Sequence, residues 1–247
     1  MRRWFSYRIK SLLVSISTDD KKINKIVEDS VVVFTLNHRG DEIAYVKGLI
    51  DCMCEDPVCR LNDEDKIIFI NTLTGNIIKE FDPVCPFVWD LEFTHDDNFL
   101  IFLGYGDTAL RGFYRLNLKT LKETLLFTTD KEYTFTLHPE NDSIIYGDSI
   151  WYPEFNPQNN FEFVFSNIYN ASEWLSGDER FTVCDLYLFN LKENKKTPLN
   201  AKPYYYTSFG RISFSPDGKR IIFSAARPFI WEMIQFDDQE LWILNLK

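Results

Sequence analysis

The chain has no surplus of positive charge. Across 247 residues, 27 Lys and Arg stand against 37 Asp and Glu, a formal net charge of −10. A duplex-binding surface needs a basic footprint, so nucleic acid is not an expected partner. No apolar run approaches the roughly 20 residues that span a bilayer, so membrane insertion is not expected either. The start, MRRWFSYRIKSLLVSIST, is basic, but its SLLVSIS stretch is short for a secretory core and lacks a small-x-small cleavage pattern. A cytoplasmic location is therefore favoured, with export the alternative if the chain were shortened upstream. Cysteines number five, an odd and sparse count that argues against a disulfide framework. Catalytic signatures are missing too: there is no G-x-S-x-G, no H-E-x-x-H and no phosphate-cradling glycine loop. No cofactor, no catalytic residue and a monomeric state are the resulting expectations.

What the chain does have is aromatic mass: 22 Phe, 12 Tyr and 6 Trp make up 16% of it. Aromatic side chains suit a pleated, half-buried surface, which favours strands. A ten-residue frame then recurs. It reads LNHRGDEIAY from Leu36, FTHDDNFLIF from Phe93, LHPENDSIIY from Leu137 and FSPDGKRIIF from Phe214. Position one is Leu or Phe and position ten is Tyr or Phe. Position five is Gly40, Asp97, Asn141 or Gly218, the residue types that tolerate the left-handed backbone of a tight turn. Position three is His38, His95, Pro139 or Pro216, and proline suits an early turn position. Each copy is a strand, a turn and a second strand.

A second frame follows each hairpin: IFINT, YRLNL, YLFNL and WILNL, with Asn71, Asn117, Asn190 and Asn245 in one register. It marks a third strand, after which a polar turn leads to a short fourth strand in the first three units. The unit is a four-stranded meander. Successive hairpins start 57, 44 and 77 residues apart, and most of that variation falls between strands two and three. Four-stranded units with a shortest interval of 44 residues are the signature of propeller blades. The expected fold is all-β, a β-propeller of about four blades over residues 30–82, 84–128, 131–199 and 204–247. Strands within residues 10–28 are expected to close the ring, Lys21–Glu28 pairing with a C-terminal blade that holds three strands of its own. An incomplete five-bladed or truncated larger propeller is the alternative.

FSPDGKRIIF followed by ELWILNLK resembles the TolB-type, WD-repeat-like propeller repeat. That repeat has a Ser-Pro-Asp-Gly turn between two strands and then a third strand. The likeness is strongest over Phe214–Lys247 and weakest at Leu36. It departs from the family in its low blade number and in lacking the Trp-Asp dipeptide. The resemblance implies a binding platform, or a non-catalytic domain partnering a hydrolase.

Insertions between strands two and three would gather on one face, the usual place for a repeat scaffold to build a binding surface. The longest, about Gly147 to Cys184, and the last one are rich in aromatic and acidic residues. Trp151, Tyr152, Trp174, Phe229 and Trp231, with Asp148, Glu154 and Glu232, are the candidate partner-binding residues for a protein or peptide. Alternatively the insertion packs its own small core, since FEFVFS (Phe161–Ser166) alternates like an added strand. Cys52, Cys54 and Cys59 are weak candidates for a metal, because the paired C-x-x-C spacing is absent. His38, His95 and His138 fall in the hairpin turns and read as turn residues. The competing function is a glycan or lactone hydrolase, with carboxylates such as Asp148, Glu154 and Glu232 as acid and base or as metal ligands.

Overall fold

All regular elements in the computed structural model are β-strands, among the described residues 11–16, 23–29, 31–47, 65–105, 111–129, 134–147, 150–170, 182–199, 209–226 and 239–246. The chain falls into two compact units, Met1–Glu132 and Tyr133–Lys247. The first unit holds a hairpin of β1 (Ser11–Ile16) and β2 (Ile23–Asp29) and two four-stranded meanders. These are β3 (Val31–Leu36), β4 (Glu42–Lys47), β5 (Lys66–Asn71) and β6 (Ile77–Phe81), then β7 (Phe87–Phe93), β8 (Phe99–Tyr105), β9 (Gly112–Asn117) and β10 (Lys122–Thr128). The second unit opens with a short ribbon of β11 (Thr136–Leu137) and β12 (Ile144–Ile145). A four-stranded meander follows, β13 (Trp151–Asn156), β14 (Asn159–Asn170), β15 (Thr182–Asn190) and β16 (Lys195–Pro198). A three-stranded sheet of β17 (Phe209–Phe214), β18 (Arg220–Ala226) and β19 (Gln239–Asn245) completes it. The four larger sheets are antiparallel blades, two in each unit.

The hairpin frame is built from backbone bonds that repeat copy by copy. Residue two donates its N–H to the carbonyl of residue seven in Asn37→Glu42, Thr94→Phe99, His138→Ser143 and Ser215→Arg220. Residue five donates back to the carbonyl of residue two in Gly40, Asp97, Asn141 and Gly218. The left-handed residue is Gly40 (φ 75°), Asp97 (φ 55°) and Gly218 (φ 66°), as the spacing predicts. In the Leu137 copy it is Asp142 (φ 55°), one residue later than the expected Asn141. There the Asp142 N–H also reaches the His138 carbonyl, at 2.9 Å, which carries the right-handed turn one residue further.

The recurring asparagine has an equally local cause. The Oδ1 of Asn71 accepts the N–H groups of Leu73 and Thr74. Asn117 does the same for Lys119 and Thr120, and Asn190 accepts from Glu193. These side-chain turns end the third strand. Four residues after each asparagine the backbone is left-handed: Gly75 (φ 69°), Leu121 (φ 53°) and Asn194 (φ 48°). A γ-branched residue at Leu121 is strained there. Leu121→Gly or Leu121→Asn should therefore stabilise the chain by about 0.5–1 kcal/mol, read as a higher denaturation midpoint.

Packing explains why the inner strands are apolar on both faces. In β4, Ala44 and Val46 join Phe69, Leu91, Phe93, Leu100, Phe102 and Leu116 in the core between the two blades of the first unit. Ile43 and Tyr45 face the other way, with Ile68 and Ile70, onto Ile26 and Val27 of the β1–β2 hairpin. In the second unit Val164 and Leu186 pack against Ile212, Phe214, Ile221 and Phe223 of the next blade. Each fully buried Phe contributes on the order of 1.5–3 kcal/mol, so these interfaces hold the blades together.

Cys85 lies in the first of these cores, and burial pushes its thiol up to about 12 from 9.0. The fold favours the protonated form, so this contribution is intact below pH 9.0 and is lost as pH climbs toward 12. Cys85 should resist alkylation in the native protein at pH 8 and react on unfolding, which peptide mapping checks.

One expectation needs correction. The unit placed at 131–199 is two structures. The Leu137 hairpin forms its own two-stranded sheet, and the blade proper starts at Trp151. That blade opens with a fifth hairpin, Phe155-Asn156-Pro157-Gln158-Asn159, whose tighter turn sets Asn156 opposite Asn159. Within residues 10–28, β2 pairs with β1, from Ser11↔Asp29 to Ile16↔Ile23, and the two form a sheet of their own. Among the described residues the C-terminal sheet has three strands.

Candidate functional site

The strand two–three loops leave each blade at one end, and in the first unit the rim of that end is described. Asp65, almost fully buried, roots one such loop. Its carboxylate accepts the Val88 N–H at 2.8 Å, and its own N–H donates to the Pro86 carbonyl at 2.8 Å. The start of β5 is thereby fastened to the start of β7. Beside it Lys66 lies within 3.2 Å of Glu80 and 3.3 Å of Asp82, and hydrogen bonds to these two carboxylates hold its ammonium above the usual lysine range.

At the same end of the β7–β10 blade, Phe87 and Tyr105 face each other across β7 and β8. Trp89 stacks on Tyr105 (centroids 5.6 Å apart, planes 18° apart), and Phe87 leans on the same ring at 5.1 Å. The Arg111 guanidinium stands 5.1 Å over the Tyr105 ring. All four are half-buried. Spacing alone did not single out this cluster. The signal was present in FVWDLEF, where Phe87 and Trp89 alternate, and in Arg111 opening β9.

In the second unit, three of the expected partner-binding residues are described, and all sit in β13. Trp151 pairs with Ser166 and Glu154 with Val164, so these positions belong to the first strand of a blade and not to an insertion. Likewise Phe161–Ser166 lies within β14, a central strand of the same sheet. Tyr152 is left-handed (φ 50°), its N–H donates to the Thr134 hydroxyl, and its ring packs on the core between the two blades. Trp151 lies 6.3 Å from the Tyr152 ring and is half-buried. Asp148, Trp174, Phe229, Trp231 and Glu232 lie outside the described residues, as do Cys52, Cys54 and Cys59. Among the described residues, no group of three or more His, Cys, Asp or Glu is arranged to hold a metal ion.

The histidines occupy the opposite, turn-bearing end. His38 and Arg39 meet Asp97 of the next blade's turn. The Asp97 carboxylate accepts the His38 N–H at 2.9 Å and the Arg39 N–H at 3.3 Å, and lies 3.2 Å from His38 Nδ1. His95 packs edge-on against His38 at 5.1 Å. The second unit makes the same junction without charge: Gln158 Nε2 donates to the Pro216 carbonyl at 2.9 Å, and Gly218 lies close against Asn156. His138 is buried in its own turn, where Nδ1 accepts the Glu140 N–H at 3.2 Å. These are structural roles for all three rings.

No protein-family model and no curated protein matches the chain. Among solved structures, the C-terminal WD40 domain of Sif2 is similar, with 14% identity and a TM-score of 0.52 over 90% of this chain and 75% of that one. TolB from Acinetobacter baumannii is 12% identical with a TM-score of 0.42, covering 88% of this chain and 49% of its own. Kuenenia stuttgartiensis hydrazine synthase is 9% identical with a TM-score of 0.41, covering 96% and 57%. The chain thus spans about half the length of the last two. At 14% identity, the likeness to the WD40 domain establishes fold alone. That fold is a β-propeller, with four blade sheets among the described residues.

Proposed function

We propose that the protein is a non-catalytic scaffold that binds a protein or peptide through the loop-bearing ends of its blades. The observation that carries this reading is the Phe87–Trp89–Tyr105 stack with Arg111 over it, half-buried at that end of the β7–β10 blade. Trp, Tyr and Arg are the side chains that dominate binding energy at interfaces. They do so because a rigid ring or planar fork covers much area for little lost entropy. Blades packed through apolar cores hold such a rim still, which lowers the ordering cost of association. In the second unit the half-buried Trp151 and Glu154 are the described counterparts, the Tyr152 ring being taken up by the core between the blades, and Trp174, Phe229, Trp231, Asp148 and Glu232 belong to the segments that the sequence assigns to this surface.

The test is capture of a partner from the native cell extract by immobilised protein, repeated with Trp89→Ala and with a Trp151/Trp174/Trp231→Ala variant. Loss of a stoichiometric polypeptide with an unchanged melting transition supports the reading. Capture that survives both variants overturns it.

A further inference from the structure

The first strand of each of the four blades carries one extra residue near its loop-bearing end. The ladder slips between Val31 and Phe34 in β3, Val88 and Asp90 in β7, Trp151 and Glu154 in β13, and Phe209 and Ile212 in β17. A bulge of this kind turns the side chains beyond it to the opposite face of the sheet. In β3 the neighbours Val32 and Val33 both pack on the core between the two blades of the first unit. In β13 Tyr152 packs on the core between the blades of the second.

In β7 the same slip has a different product. Strict alternation along FVWDLEF would set Phe87, Trp89, Leu91 and Phe93 on one face. Leu91 and Phe93 do lie in the core against the first blade. Beyond the slip, however, it is Val88 that joins them there, opposite Gly104. Phe87 and Trp89 are thereby turned to the other face, where both rings meet Tyr105. The bulge makes the aromatic rim.

The residue that grips this bulge comes from the neighbouring blade. Asp65, 2% exposed, accepts the Val88 N–H on its carboxylate and donates its own N–H to the Pro86 carbonyl, each at 2.8 Å. The two bonds hold the chain on either side of Phe87 and one residue before Trp89. A buried amide needs an acceptor, and a carboxylate seated at the start of β5 supplies a charge-assisted one from outside the slipped ladder.

We propose that Asp65 is the positioning residue of the rim: its carboxylate pins the β7 bulge and so fixes Phe87 and Trp89 on Tyr105 in the geometry that receives the partner. The proposal rests on the reading of that rim as a binding surface, and adds that a buried residue of the first blade sets its shape.

Fluorine NMR of the full chain labelled with 5-fluorotryptophan tests it, because the signal reads ring placement with no partner present. Trp89→Phe removes, and so assigns, one of the six tryptophan resonances. Tyr105→Leu gives the displacement that follows loss of the stack. Asp65→Ala should move the Trp89 resonance by at least about half that displacement, while that of Trp151, in the second unit, stays in place. Asp65→Asn keeps a side-chain oxygen for the Val88 N–H and should restore the wild-type position. A Trp89 resonance unmoved by Asp65→Ala overturns the proposal, and so does one that Asp65→Asn moves equally. If the alanine variant does not fold, exchange of the Val88 amide in the wild-type chain decides: protection matching that of Leu103 is expected, and open-loop exchange overturns the proposal. Partner capture that survives Trp89→Ala would count against the binding reading and leave these spectra unchanged, so the two failures are distinct.

Discussion

Gly104→Ala should destabilise the protein by about 3 kcal/mol, the upper range for overpacking a close-packed core. A Cβ on Gly104 would run into the Cys85 sulfur and would stand 3.3 Å from the Phe87 carbonyl oxygen. Cys85 is fully buried among Val88, Leu91 and Phe102, so its side chain has nowhere to withdraw. The penalty comes from that one neighbour, which gives the prediction its specificity. Cys85→Ala in the same chain should recover roughly half of the loss, and a double-mutant cycle in urea should show coupling above about 1 kcal/mol. Gly112→Ala provides the contrast. Its Cβ would meet the Phe127 carbonyl oxygen, with Thr128 Cα at 3.1 Å, and backbone cannot be trimmed away by a second substitution.

Asp97→Ala should cost about 2–3 kcal/mol. The Asp97 side chain is only 6% exposed and serves the preceding blade, accepting two of its turn N–H groups and facing His38 Nδ1 and the Arg39 guanidinium. Removing the carboxylate breaks charge-assisted bonds and leaves turn donors short of an acceptor. Alanine would also inherit a left-handed backbone, φ 55°. The series separates the two effects. Asp97→Gly relieves the backbone but loses the bonds, so it should fall about 1 kcal/mol short of the alanine loss. Asp97→Asn keeps a carbonyl acceptor and should retain most of the stability. A loss confined to the alanine variant, with Asp97→Gly and Asp97→Asn close to wild type, would mean that the inter-turn bonds contribute nothing.

The reach of sequence reading can be traced to particular residues. The hairpins at Leu36, Phe93 and Phe214 were legible because the left-handed residue sits at position five and the strand partner of position one sits at position eight. The asparagine at the end of each third strand was legible for a similarly local reason. The hairpin at Phe155 escaped because Pro157-Gln158 makes a two-residue turn. A register shift between Asn156 and Phe155 then sets Phe155 opposite Phe163, one place out of frame, and position ten is Val164 in place of an aromatic. Its spacing to Asn190 is 35 residues, equal to that from Leu36 to Asn71, a clue carried by the third strand and not by the turn. Missing it turned the first two strands of a blade into a supposed loop, which assigned Trp151, Tyr152 and Glu154 to an insertion. The Trp89–Tyr105–Arg111 cluster was hidden for another reason. Its members come from three strands, and only the register between them reveals that they meet.

The membership of β14 in a blade carries the most weight in this account, since it separates the binding rim from the scaffold. Native-state hydrogen exchange with fragment-level resolution measures it directly. The account predicts that the amides of Phe163–Ser166 are protected to the same degree as those of Ile101–Leu103 in β8, since both segments are buried central strands. Exchange of Phe163–Ser166 at the rate of an open loop, while β8 stays protected, would contradict it and return those aromatics to the binding face.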